Sequence, residues 1–203
     1  MTGDHYFTAA PASEQERRTI DVHLAGRDLR LTTASGVFSA DHLDSATRIL
    51  LGAVPPPPPE GVLVDLGCGW GPLALALALA APGARVLAVD VNERALELTR
   101  TNAAAVGATN VTAMRPEDVE PDVRVDALWS NPPIRIGKAA LHDLLRRWLP
   151  RLADDGVAHL VVAKQLGADS LARWLVETLG APVERVTSQG GFRVLRVGRP
   201  TTA

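Results

Sequence analysis

The chain predicts an α/β fold: a mostly parallel, seven-stranded sheet covered by helices, closed by an antiparallel C-terminal hairpin and preceded by a short N-terminal hairpin and helix. Three observations carry that prediction. From residue 61 onwards short apolar runs alternate with helical stretches, the pattern of βα repeats and hence of parallel strands. A glycine-rich turn, Asp65-Leu66-Gly67-Cys68-Gly69-Trp70-Gly71-Pro72, joins the first run to the first helical stretch. The last two strand-like segments flank Gly190-Gly191, the signature of a hairpin.

Taken in order, residues 1 to about 17 are polar and contain proline, a loose lead-in. Ile20, Val22 and Leu24 alternate with polar residues, Gly26-Arg27-Asp28 reads as a turn, and Leu29 and Leu31 resume the alternation, giving a hairpin. Asp41 is the expected cap of a helix reaching Ala53, with Leu43, Ala46, Ile49 and Leu50 on one face. Pro55 to Pro59 end it as a stiff connector and set the expected boundary between an extension, 1–54, and a main domain, 60–199. Strands follow at Gly61 to Leu66, Arg85 to Val89, Asn110 to Met114, Val125 to Trp129 and Gly156 to Ala163. Between them helices run from Pro72 to about Ala81, from the cap Asn92 towards Gly107, from Gly137 to about Leu152 and from Ala168 to Leu179. Pro182 to Thr187 and Phe192 to Val197 form the closing hairpin.

Composition narrows the function classes. A chain of 203 residues suits one domain with a small extension, and a net charge of -2 offers no global basic field. Any nucleic acid must therefore meet a local basic patch. Cys68 is the sole cysteine, which excludes an internal disulfide and fits a reducing cytoplasm. No apolar run approaches bilayer-spanning length, so no membrane partner is expected. His5, His23, His42, His142 and His159 are scattered, so no metal site is expected. Neither a Ser-His-Asp order nor paired acids at a strand end suggests hydrolysis.

Two stretches carry chemistry. The first is the glycine turn, where Gly67, Gly69 and Gly71 are spaced G-x-G-x-G and Pro72 stands where a dinucleotide fingerprint needs its third glycine. That spacing disfavours NAD. Asp65 ends the preceding strand, and Asp90, 19 residues after Gly71, ends the next one, where an acid can accept hydrogen bonds from a ribose diol. The second is Asn131-Pro132-Pro133, which stops the apolar run Val125 to Trp129. Each proline holds the preceding residue extended and withholds a ladder N–H. The Asn131 Oδ1 and the Pro132 carbonyl are thereby expected to converge as free acceptors beyond the carboxyl end of the sheet, where ligands of open α/β folds bind.

With these residues in hand the chain resembles the Rossmann-like class I methyltransferases. It is similar in particular to the small-domain family of RsmC- and RlmG-type ribosomal RNA guanine-N2 methyltransferases, and most of all to their single-domain members. The residues that carry the likeness are Ser35 to Ser39, Asp65 to Pro72, Asn131 to Lys138, Leu141-His142 and Gly190 to Leu195. The resemblance implies S-adenosylmethionine as cofactor, held by Asp65 at its amino group, by Gly67, Cys68 and Gly69 at the loop, by Asp90 at the ribose, and by Asp118 or Glu117 at the adenine amino group. Asn131, Pro132 and Pro133 are then the catalytic motif, with Asn131 counted among the cofactor-binding residues as well, and ribosomal RNA is the partner. Arg135 and Lys138 supply the local basic patch, with Arg193 beside them. Two departures stand out. Arg115 occupies the place near the third strand where family members carry the adenine-facing acid, and Ile134 replaces the aromatic residue that often stacks on the target base. Phe38 and Phe192 are the alternative grips on that base. Glutamine-amide or DNA-adenine methylation, and a non-catalytic cofactor-binding RNA scaffold, are the competing functions.

Overall fold

The computed structural model describes residues 16–133 and 137–201. Its chain order is β1 (Arg17–Leu24), β2 (Arg27–Ala34), α1 (Ser45–Ala53), β3 (Val62–Leu66), α2 (Pro72–Ala80), β4 (Arg85–Val89), α3 (Glu93–Ala105), β5 (Val111–Met114), β6 (Val125–Ser130), α4 (Lys138–Trp148), β7 (Leu152–Ala163), α5 (Ala168–Leu179), β8 (Val183–Gln189) and β9 (Phe192–Gly198). β1 and β2 form a separate hairpin. The other strands make one seven-stranded sheet in the order β5-β4-β3-β6-β7-β9-β8, with β9 antiparallel to both its neighbours and the remaining pairs parallel.

Strand alternation divides the core into two layers. Val64, Leu66, Leu87, Val89 and Leu128 face α4 and α5, where Leu145, Trp148 and Leu175 are fully buried. Leu63, Val86, Ala88 and Trp129 face the opposite layer, which holds α2, α3, α1 and the N-terminal hairpin. α2 explains why that layer is thick. Its sequence, PLALALALA, is apolar all round, and Leu73 to Ala78 are buried. A helix with no polar face must be covered on every side. The sheet covers one side, while Val22, Leu24 and Leu31 of the hairpin and Leu43, Ala46 and Leu50 around α1 join the same cluster on the other.

One side chain ties the hairpin to the main fold. Asn102, on α3 and without solvent exposure, accepts from the Thr32 N–H at 2.7 Å and donates to the Thr32 and Trp70 carbonyls, both at 2.9 Å. It satisfies the outer edge of β2 as a neighbouring strand would.

The differences from expectation have local causes. The first hairpin turns at Ala25-Gly26, both with positive φ, one residue earlier than the polar cluster suggested. Asp44, not Asp41, caps α1, with its side chain accepting from Thr47 N. Asp41 instead pairs with Arg18 on the surface. α4 ends at Trp148 and continues as a 3-10 turn, Leu149–Arg151, because Pro150 has no N–H with which to extend an α-helix. β7 begins at Leu152 rather than Gly156, its start disguised by exposed Asp154 and Asp155 in a register shift against β6. Pro55 to Pro59 carry no regular structure.

Replacing Asn102 with alanine leaves three backbone groups without this partner, the Trp70 carbonyl buried and the Thr32 N–H and carbonyl partly buried. The expected loss is about 3 kcal/mol, or roughly 6–12 °C in Tm for a domain of this size, measurable by urea and thermal unfolding. An Asn102→Ala variant of wild-type stability would show that water replaces the side chain at no cost.

Candidate active site

The site grows from the tips of two adjacent parallel strands. β3 and β6 pair in the register Leu63 to Ala127 and Asp65 to Trp129, and the buried Ser130 hydroxyl donates to the Leu66 carbonyl at 2.6 Å. The glycine turn and Asn131-Pro132-Pro133 therefore leave the sheet side by side. A Cβ placed on Gly67 would lie 3.8 Å from Pro133 Cδ.

The turn is held by the strand next to it. Gly67 N and Cys68 N donate to the Val89 carbonyl at 2.8 and 3.1 Å, and Gly69 N donates to Asp90 Oδ2 at 2.9 Å. Gly71 closes the turn at φ 95°, and a Cβ there would meet the Thr99 side chain at 2.9 Å, so both backbone geometry and space require glycine. Cys68 serves through its backbone. Its thiol is buried against Thr99, and burial above all pushes its pKa well up, so it stays protonated.

Asp65 points from the tip of β3 to the start of α2, where its Oδ2 accepts from Ala74 N at 2.8 Å. Its Oδ1 is buried without a partner among the described residues. Burial, reinforced by the nearby charge of Asp90, raises the Asp65 pKa to about 8. Asp90 is also raised by burial, though the amides of Asn92, Gly69 and Val91 counter the effect. No cation among the described residues compensates either carboxylate. The pair thus favours a cationic ligand with donors, and the orphaned Asp65 oxygen suits an ammonium group. The residues present fit S-adenosylmethionine.

A cavity of about 300 Å³ lies beyond these tips. Gly67, Gly69 and Asp90 form one wall and Asn131, Pro132 and Pro133 another. Phe38, 40% exposed, and the half-buried Phe192 both line it. So do Gln165 and Leu166, from the short turn after β7, which carry no motif or periodicity that would single them out. Asp118 is exposed and is not among the lining residues, although its neighbour Pro116 is. Lys138 is exposed at the first turn of α4, while Ile134 and Arg135 lie outside the described residues. Arg193 is mostly buried and paired with Asp169, which removes it from the basic patch. His142 packs as a ring stack on Trp174. Asn131 Nδ2 donates to Asp44 Oδ2 at 2.9 Å and to Thr47 Oγ1 at 3.2 Å. Sequence reading missed both partners, because their only local signal is the cap spacing of Asp44 and Thr47.

Among the described residues no group of three His, Cys, Asp or Glu side chains is placed to hold a metal. No helix among the described residues is long and apolar enough to cross a membrane.

Comparison with known proteins places this geometry. The family described as "Methyltransferase small domain" matches residues 28–196. YbxB of Bacillus subtilis, itself uncharacterized, is 32% identical over 95% of this chain and 97% of its own length. Ribosomal RNA small subunit methyltransferase C of Salmonella choleraesuis is 33% identical over 83% of this chain. This chain spans about half the length of that relative, 49%. Among solved structures, the Thermus thermophilus 16S rRNA N2 G1207 methyltransferase, in complex with AdoMet and guanosine, superposes with a TM-score of 0.77 at 25% identity, covering 93% of this chain and 52% of its own.

The state of Asp65 predicts a proton-linked cofactor. Between the unfolded carboxyl value of 3.8 and about 8 the ligand-free protein holds a proton on Asp65, and an ammonium beside it favours the ionised form. Binding S-adenosylmethionine at pH 6.5 is expected to release about one proton, read by calorimetry in buffers of different ionisation enthalpy. Asp65→Asn should abolish the release, and a release unchanged in that variant would exclude Asp65 as its source.

Proposed function

This chain belongs to the methyltransferase small-domain family, and on that premise we propose that it methylates an exocyclic amine, the N2 of a guanine in ribosomal RNA. S-adenosylmethionine is its cofactor. The observation that carries the reading is that Asn131-Pro132-Pro133 follow directly on β6, the strand paired with the one that leads into the glycine turn, with both lining one cavity.

An exocyclic amine is a poor nucleophile because its lone pair is delocalised into the ring. Among the described residues no donor engages the Asn131 Oδ1 or the Pro132 carbonyl, so each can accept one amine hydrogen. Holding both hydrogens favours a pyramidal nitrogen with its lone pair directed across the cavity towards the glycine turn. The bound cofactor supplies an electrophilic methyl on a sulfonium leaving group. Positioning is then the main task of the protein, and the amine proton passes to solvent once the N–C bond has formed. Phe38 and Phe192 supply aromatic surface where Ile134 lacks it, and base stacking is worth about 1–3 kcal/mol.

Ribosomal RNA as substrate is supported by the Salmonella and Thermus relatives, which are ribosomal RNA methyltransferases by name. Lys138, exposed at the first residue of α4, is the candidate for a phosphate contact among the described residues, with Arg135 three positions before it in sequence.

Labelled cofactor incubated with unmodified total RNA, DNA or protein discriminates the possible acceptors. The expected product is 2-methylguanosine, identified by mass spectrometry of nucleosides. Label in adenine or in glutamine amide, or cofactor binding without transfer, would overturn the assignment. Asn131→Ala is expected to bind cofactor like the wild type and to lose about 100-fold in turnover, the scale of removing one preorganised hydrogen bond at a reacting group. Lys138→Ala is expected to weaken RNA binding and to lower the slope of log K against log salt by about one; an unchanged slope would remove the phosphate contact.

A further inference from the structure

The hydrogen bonds around Asn131 assign a role to a segment that precedes the proline run. We propose that Asp44, with Thr47, is a positioning residue that fixes the amide of Asn131 with its oxygen towards the substrate amine. The proposal rests on the reading of Asn131 as the acceptor for that amine.

An asparagine amide has an oxygen and a nitrogen of nearly equal size, and a 180° flip interchanges an acceptor with a donor. A flipped Asn131 would present N–H groups to the N–H groups of the target amine, which is repulsive. A carboxylate at Asp44 only accepts. Its Oδ2 lies 2.9 Å from the Asn131 nitrogen and the Thr47 hydroxyl oxygen lies 3.2 Å from it, so the NH2 group is committed to α1. The amide oxygen is left facing away from that pair.

The anchor is itself fixed. Asp44 Oδ2 also accepts from Thr47 N at 3.1 Å as the cap of α1, and the Asp44 carbonyl accepts from Arg48 N at 3.0 Å. Thr47 is 4% exposed. Asp44 lines the same cavity as Asn131 although 87 residues separate the two. The negative charge behind the NH2 group also polarises the amide, which strengthens its oxygen as an acceptor.

Asp44→Asn separates this role from simple support of α1, because asparagine caps a helix as well as aspartate but can offer Asn131 either an oxygen or an NH2. Turnover is expected to fall about 10–100-fold, by analogy with the loss of residues that orient the ligands of a metal site, with cofactor affinity and Tm near the wild-type values. In an Asn131→Ala background the same substitution is expected to change turnover less than about twofold, since coupled residues are not additive. Thr47→Val should lose activity, and Thr47→Ser should lose less. Independently of turnover, the Asn131 side-chain amide protons should be protected from exchange in the wild type and lose that protection in Asp44→Asn, as followed by NMR. Wild-type turnover in Asp44→Asn, an additive loss in the Asn131→Ala background, or unprotected amide protons in the wild type would each overturn the proposal. If the wild type methylates no RNA, the substrate assignment fails, and the exchange measurement still decides the orientation of the amide.

Discussion

The molecule depends on the pairing of β3 with β6. Parallel strands must end at the same edge of a sheet, and these two, neighbours at the point where strand order reverses, release their chains into one crevice. The pair is pinned at both ends. Near its start Asp126 accepts from Val62 N at 2.7 Å, and at its tip the Ser130 hydroxyl holds the Leu66 carbonyl at 2.6 Å. A slip of β6 by one residue against β3 would turn Trp129 and its alternate neighbours to the opposite face. The glycine turn and the Asn-Pro-Pro segment would then no longer share a wall.

Much of this architecture was legible from local patterns. The strand Arg85–Val89 and the helix Ala168–Leu179 begin and end where their apolar periodicity places them, and Asn92 caps α3 as its spacing demands. Legibility failed where polar residues serve tertiary purposes. Asp41 and Asp44 offer equal local signals for a cap, and the choice falls on Asp44, whose carboxylate serves Asn131 as well as the helix. Asp154 and Asp155 hide the beginning of β7 because a register shift turns them to solvent. Asn102 reads as an ordinary helical residue, and nothing in its neighbours announces that it completes the edge of a hairpin about 70 positions away. Contacts of that range have no signature in periodicity.

The electrostatics of the site follow from its packing. Asp65 and Asp90 are buried by the layers that make the sheet stable, and the backbone amides around them offset only part of the cost. Carboxylates held in this way represent an unmet demand for positive charge. The site is therefore organised around what it binds, and a fold with less cover over β3 would leave water to meet that demand.

The cover itself has a temporal aspect. α2 is apolar on every face, and part of its shelter comes from β1 and β2, which precede it in the chain. A ribosome releases protein from the N-terminus, so the hairpin that roofs this helix leaves the exit tunnel before the helix does. The order of elements along the polypeptide supplies this wholly apolar helix with part of its cover in advance.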